Sequence, residues 1–404
     1  MTSPRAGGQI AAHHLLSPSS PFMPLCLLFA LLAWACAAIT AAPTASTATA
    51  PTALRIERLL QRDALGVDSH APLLSWSWTG TERREGPPPA ATVSVAASAA
   101  ALDAAPLWST RATGVVALRY GGPALASASV YHWRVCGGAV GDGCAAATFV
   151  TGRLERSEWS AAWIGGRQLR SPEVTLPAGR KVASAVVTVT GLGFYELWLN
   201  GARVGDAVLD PGFSTNVTER LLYATYDVSD AIVGAGSVGA GRLAGNTDAV
   251  TGAGRLPGKL AENTGKVVLA ARVGAGKYSY SVNPFAVPGK DVFALLCQLT
   301  VRFADGGKPL TLGTDAAWLE SDSPIVWENL YHGEHFDARL ERRDWASMGA
   351  NTSTTSGWRK AKEVSLPAGA DATLSARLFP PIRIVEVVPP KTSSQLSATS
   401  FLYV

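Results

Sequence analysis

Hydrophobic and polar residues alternate in short runs along most of this chain, the pattern of strands with one face buried. The densest stretch covers residues 191–230. There Tyr195, Leu197 and Leu199 fall on one face of a strand, and Phe194, Glu196 and Trp198 on the other. Asn200-Gly201 follows. Both central positions of a type I′ hairpin turn need positive φ, which Asn and Gly tolerate best. The spacing predicts a return strand over residues 203–209, a turn at Asp210-Pro211-Gly212 and a further strand over 221–228.

The rest of the chain can be placed on either side of this meander. Upstream, the runs LRIERLL, LLSWSW, ATVSVAAS, GVVALRY, SVYHWRV and AAATFV are separated by Gly/Pro turns. They predict a small sandwich of immunoglobulin or fibronectin type III shape over residues 54–152, with Trp133 in its core and His132 facing solvent. RLERSEWSAAWIG (153–165) reads as a short helical or irregular connector anchored by Trp159 and Trp163. Over residues 153–350 the runs SPEVTL, SAVVTVTGL, FYELWL, ARVGDAVL, LLYATYDV, KVVLAARVG, FALLCQLTVRF and PLTLGT predict a second, larger antiparallel sandwich. A Gly/Ala-rich stretch, 234–265, interrupts it and reads as a mobile loop without the spacing of a phosphate-binding motif. Residues 351–404 begin a further β unit that ends in SATSFLYV. The fold class is all-β: two tandem antiparallel sandwiches and the start of a third β unit.

Composition narrows the function classes. With 404 residues, 47% hydrophobic and 16% charged, the chain has material for extensive cores. The net charge of +4 is scattered and interleaved with acids, so no nucleic-acid footprint is present. Residues 25–42, LCLLFALLAWACAAITAA, carry no charge and read as a secretory h-region cleaved between about residues 38 and 50, or as an uncleaved anchor. Met23 offers a start that gives a signal peptide of conventional length. Residues 43–53 read as a Thr/Ala/Pro linker. Secretion or display at the cell surface is the expected location, with membrane contact only if the leader stays attached. Cys136 and Cys144 flank the turn-rich GGAVGDG and either pair as a disulfide or sit unpaired as small core residues. Cys297, in an apolar run, reads as a buried thiol. Asn216 and Asn351 begin N-glycosylation sequons.

The segment richest in functional groups is 318–345, with Glu328, His332, Glu334, His335, Asp337 and Arg339 close together. HGEH lacks the HExxH spacing and helical setting of a zincin, so a polar loop bonded to its own backbone is expected and no metal ligand set is assigned. Glu334 and Asp337 have the residue types of a glycosidase acid/base pair, but pairing with Arg339 or Arg342 is the expected role. No GxSxG or comparable nucleophile motif occurs. Sugars offer an apolar face for aromatic rings and hydroxyls for acids and amides. Phe194, Glu196 and Trp198, joined by Tyr331 and His335, are the candidate carbohydrate-binding set; the competing reading places those aromatics in a core or an interface.

Seven segments together resemble the N-terminal region of bacterial-type α-L-rhamnosidases: PLLSWSW (72–78), YHWRV (131–135), FVTGRLERSEWSAAWIG (149–165), GLGFYELWLNG (191–201), RVGDAVLDPGFS (203–214), LYATYDVSD (222–230) and YHGEHFDARLERRDW (331–345). The similarity spans about residues 54–390, and the insertion at 234–265 departs from it. The resemblance implies a fibronectin-like domain followed by a lectin-like β-sandwich. In the family a further β domain comes next, then an (α/α)6 barrel whose acidic residues hydrolyse terminal α-L-rhamnosides with inversion. No residue of this sequence matches a catalytic position of that barrel, so no catalytic residue is assigned and the chain alone is expected to be inactive. Some family sandwiches bind rhamnose with calcium, but no calcium ligand can be placed here, and no other cofactor is implied. Rhamnose-containing glycans are the expected partners. Two other readings remain: a free carbohydrate-binding or adhesion module, and a truncated gene product without an independent role.

Overall fold

A computed structural model of the chain describes residues 50–79, 87–138, 143–212, 219–233, 265–276, 293–365, 373–397 and 400–403. The leader, the stretch 234–264 and Asn216 lie outside the described residues. The first strand begins at Pro51, inside the stretch read as linker, because Pro51 and Thr52 already pair with Trp78 and Ser77.

The first sandwich sets two sheets face to face. One is built from Leu59–Leu60, Pro51–Ile56, Leu73–Trp78 and Ala117–Arg119 in that order. The other runs Leu65–Val67, Cys144–Thr151, Val130–Gly137, Ala91–Ala96 and Trp108–Ala112, antiparallel except for the first pair. Alternation sends Leu74, Trp76 and Trp78 inward from one sheet and Tyr131, Trp133 and Val135 inward from the other. Trp133 is fully buried and His132 half-buried, as its opposite phase requires. Trp108–Ala112 and Leu65–Val67 were not legible, since WSTRA is largely polar and LGV too short to alternate visibly.

The second sandwich is organised on two long central strands, Val182–Leu192 and Ala294–Phe303, paired antiparallel from Val182↔Phe303 to Leu192↔Ala294. Their sheet continues through Arg220–Asp227 on one side and Ile164–Gly165 on the other. The facing sheet runs Ala202–Arg203, Phe194–Leu199, Leu269–Gly274, Gln168–Arg170, Leu319–Ser321 and Arg359–Lys360. Val187, Val189, Tyr195, Leu197, Leu269, Ala271, Leu295 and Leu299 fill the space between the sheets. The central strands are buried on both faces because the connector and the first sandwich cover the outer one. The outer row there is polar. Arg153 donates from Nε to Thr188 Oγ1 (3.2 Å) and from Nη2 to Thr300 Oγ1 (2.8 Å). Gln298 Oε1 accepts the backbone N–H groups of Ser160 and Ala161. Desolvation lowers the Arg153 guanidinium to about 10, since charge is disfavoured away from water.

The two sandwiches meet along the strand Arg220–Asp227. The Tyr223 hydroxyl accepts the Arg153 N–H at 2.8 Å, and a Cβ at Gly152 would fall 2.2 Å from that oxygen. Gly66, at φ 82°, leaves room for Thr225 in the same way. Ala128, Val150 and Val186 close the apolar part of the junction.

Two expected features fold differently. Asn200 and Gly201 take the positive φ values of the predicted turn, but the return strand is only Ala202–Arg203. Beyond it Gly205 turns the chain at φ 75°, and the Tyr195 N–H donates to the Asp210 carbonyl at 3.1 Å. This brings the Asp210 carboxylate to the Tyr195 and Tyr226 hydroxyls, a local bond set that outcompetes the ladder. The connector 153–165 is irregular as expected, with one short 3-10 turn at Arg156–Glu158 and the strand Ile164–Gly165 at its end. Residues beyond 350 also contribute to the second sandwich: Arg359–Lys360 pairs with Leu319–Ser321, Lys362–Glu363 with Ile164–Gly165, and Thr373–Ala376 runs parallel to Arg220–Asp227. The described third unit is the two-stranded Ser393–Ser397/Ser400–Tyr403 hairpin.

Two outcomes follow from this packing. Tyr223→Phe leaves the buried Arg153 N–H without an acceptor and is expected to lower stability by about 1–3 kcal/mol, read from the urea midpoint with far-UV dichroism unchanged. Cys297 is fully buried and its thiol is pushed up by desolvation, so iodoacetamide should label it in urea and not in the native chain.

Candidate functional site

The strand Phe194–Leu199 presents Phe194, Glu196 and Trp198 on the outer face of its sheet, as alternation demands. Register sets Glu196 beside Arg272, which is itself beside Gln168, and sets Trp198 beside Ala270 and then Arg170. The chain after residue 340 folds back over this face. Trp345 meets Trp198 edge-on, with ring centroids 5.1 Å apart, and Ala346 and Trp358 are buried with it. Arg272 lies 5.8 Å from the Trp198 ring and 5.2 Å from the Trp345 ring. Its Nε donates to Gln168 Oε1 (3.1 Å) and its Nη2 to Glu341 (2.8 Å). Trp198 is therefore half-buried, its ring packed against the returning segment. Glu196 stays at the rim, paired with Arg203 at 3.1 Å. Phe194 is half-buried; its ring lies against Gly276, where a Cβ would approach to 2.8 Å.

The segment read as a polar loop is a hairpin, Ile325–Asn329 with Gly333–Phe336. Its turn is organised by Asn329, whose Oδ1 accepts the N–H groups of Tyr331 (2.9 Å) and His332 (3.1 Å) and lies 2.9 Å from His332 Nδ1. Gly333 takes φ 88°. Trp327 and His335 are register partners with rings 4.8 Å apart, and Glu328 opposes Glu334. Two contacts anchor the hairpin to the sandwich. The Glu328 carboxylate accepts the Ala275 N–H, and Arg167 Nη1 donates to the Ile325 carbonyl at 3.2 Å. Glu328 also lies against Gly274, the register partner of Phe194, so the hairpin stands at the Phe194 end of the sheet.

The hairpin keeps its aromatics in water. Tyr331 is 72% exposed, and Trp327, His335 and Phe336 are exposed beside it. The structure thus groups Tyr331 and His335 with Trp327 and Phe336, two residues missed in the sequence, and sets them apart from Trp198. The only signal for them in the sequence is a weak alternation in IVWEN and GEHF around a short Gly-bearing loop. At the base of the hairpin Asp337 accepts from Arg339 Nε (2.8 Å), Nη2 (2.6 Å) and backbone N (3.0 Å). Arg339 holds the Asp337 carboxyl down at about 2. Among the described residues, no group of three His, Cys, Asp or Glu side chains is placed to hold a metal ion.

Elsewhere, Cys136 and Cys144 are register partners joined by a disulfide, with Cα atoms 4.0 Å apart. Asn351 is exposed, and its Oδ1 accepts the Ser353 N–H at 3.1 Å.

Comparison with known proteins gives a consistent picture. Residues 180–252 and 259–386 match the family described as α-L-rhamnosidase N-terminal domain, and residues 51–155 match the Rha78A-like, N-terminal immunoglobulin domain. An α-L-rhamnosidase of Formosa agariphila is 26% identical over 388 residues, covering 84% of this chain and 36% of its own length. One from Streptomyces avermitilis is 37% identical over 183 residues, covering 45% of this chain and 14% of its own length. The solved α-L-rhamnosidase of Dictyoglumus thermophilum superposes with a TM-score of 0.65 at 26% identity, over 87% of this chain and 38% of that one. The chain spans little more than a third of the length of the Formosa agariphila and Dictyoglumus thermophilum proteins. It belongs to the α-L-rhamnosidase family, and it carries that family's N-terminal immunoglobulin-like and rhamnosidase N-terminal domains.

Proposed function

We propose that this chain is the non-catalytic β region of an α-L-rhamnosidase-like glycoside hydrolase, secreted or held at the cell surface, and that its 325–336 hairpin meets rhamnose-containing glycans. The observation that carries the reading is the exposed cluster of Trp327, Tyr331 and His335 on a hairpin braced at Glu328 and Arg167. Rings held on an anchored hairpin lose little freedom when a sugar stacks on them, and a 6-deoxy sugar presents a methyl group and C–H bonds to such rings. His335, Glu334 and Tyr331 supply donors and acceptors for hydroxyls. The Cys136–Cys144 disulfide fits an oxidising compartment.

Hydrolysis of a glycoside needs a carboxylic acid kept protonated near neutral pH beside a second carboxylate. Asp337 has the opposite character, since Arg339 keeps it ionised down to about pH 2. The purified chain from residue 43 onward is expected to release nothing from an aryl α-L-rhamnoside. Turnover that disappears on changing Glu334 or Asp337 would overturn this reading.

Binding is tested by titrating L-rhamnose and a rhamnosyl oligosaccharide, with and without calcium, following heat and tryptophan fluorescence. Tyr331→Ala and Trp327→Ala should each weaken binding by about two- to tenfold, the range expected for loss of one stacked ring. Absence of both heat and fluorescence change for either sugar removes the glycan reading.

A further inference from the structure

Beyond Ala376 the chain crosses both sandwiches as an extended strap, and polar contacts hold it more than apolar ones. Arg377 is buried; its N–H donates to the Tyr223 carbonyl (2.9 Å) and its Nη1 pairs with the Asp210 carboxylate. Asp210 is 3% exposed and also accepts the Tyr195 and Tyr226 hydroxyls. Burial drives the Tyr226 hydroxyl up to about 12, so it stays a donor at neutral pH. Six residues later Arg383 bridges two acids on different sandwiches. Its Nη2 lies 2.8 Å from Asp63 of the first sandwich, and its Nε lies 2.9 Å from Asp206 of the second. Between these points the Val208 N–H donates to the Ile382 carbonyl at 2.9 Å. Leu378 packs on the first core, whereas Phe379, Ile382, Ile384 and Val385 face outward, Val385 at 95% exposure.

We propose that residues 378–388 form a latched strap that detaches and reseats as a unit when Arg383 loses Asp63 and Asp206, and that its seated form clips the two sandwiches together and fixes where the 393–403 hairpin stands. The two locks differ in kind. The Arg377–Asp210 pair is sealed from water, so losing either partner strands a buried charge. The Arg383 lock is open on one side only: the Asp206 side chain is 43% exposed, so salt screens that leg, while the Asp63 side chain is 3% exposed. With few apolar side chains buried along it, the strap has little else to hold it once that lock opens, which is the condition for local opening below the global unfolding free energy. Arg203 stands beside the outer lock, with Nη2 donating to the Ala207 carbonyl, so it holds the loop bearing Asp206 and not the strap.

Amide exchange read by mass spectrometry on the full chain tests the proposal. In Arg383→Gln, and in the unaltered chain at about 1 M salt, peptides covering 378–388 and 206–210 should exchange roughly tenfold faster. Peptides from 184–192 and 294–303 should be unchanged. Asp210→Asn should extend the faster exchange to 373–377. Unchanged exchange of 378–388 in Arg383→Gln overturns the latch. Exchange that rises equally through both sandwiches overturns it too, because the strap then has no separate opening.

Discussion

The strand Arg220–Asp227 cannot give up either of its faces, and the rest of the architecture depends on that. Ala224 and Tyr226 fill the core of the second sandwich, while Tyr223 and Thr225 meet the first. A strand with two buried faces leaves no solvent to satisfy a misplaced polar group. Hence the Tyr223 hydroxyl is bonded to the Arg153 backbone, and Gly66 and Gly152 stand where any side chain would collide. The Thr373–Ala376 strand then closes the edge of this strand by parallel pairing, which hands the chain on to Arg377 and the strap. Sandwich, junction and strap are consequences of one register.

The same logic separates the two chemically rich surfaces. Trp198 lies on a sheet face, and a returning segment supplies Trp345 and Trp358 against it. Trp327, Tyr331 and His335 sit on a two-stranded ribbon that projects from the sheet end and is anchored through the opposite side by Glu328. Residues with equal stacking ability thus divide into structural and available groups according to whether a partner reaches them, a distinction composition does not carry.

That division also marks how far the sequence was legible. Period-two patterns placed Trp133 inward and set Phe194, Glu196 and Trp198 together on one face, because alternation is a property of the strand itself. Asn200-Gly201 specified its turn through φ alone. Whatever depended on distant partners was hidden. The cover on Trp198 comes from residues 147 positions or more away, and QLR at 168–170 is a strand only because Leu269–Gly274 and Leu319–Ser321 flank it. The return strand was lost to the Asp210 knot, whose acceptor sits between two tyrosines from different strands and an arginine from a third element. The hairpin at 325–336 alternates weakly and is rich in polar groups, so local bonding and strand pairing could not be told apart by pattern.

Arginine explains why a modest net charge of +4 says so little about partners. Arg153, Arg170, Arg272, Arg377 and Arg383 each join elements far apart in the chain, to Thr300, Ser347, Glu341, Asp210 and Asp63 respectively. The guanidinium fork offers several donors in fixed directions and remains charged when partly desolvated, so one side chain can satisfy acceptors on two segments at once. Lysine, a point charge on a flexible stem, would hold one acceptor and leave the other exposed to solvent competition. The segment 377–385 buries few apolar groups of its own, and such forks fix its position against the sheets. The charge of these five arginines is therefore committed to joining segments within the fold.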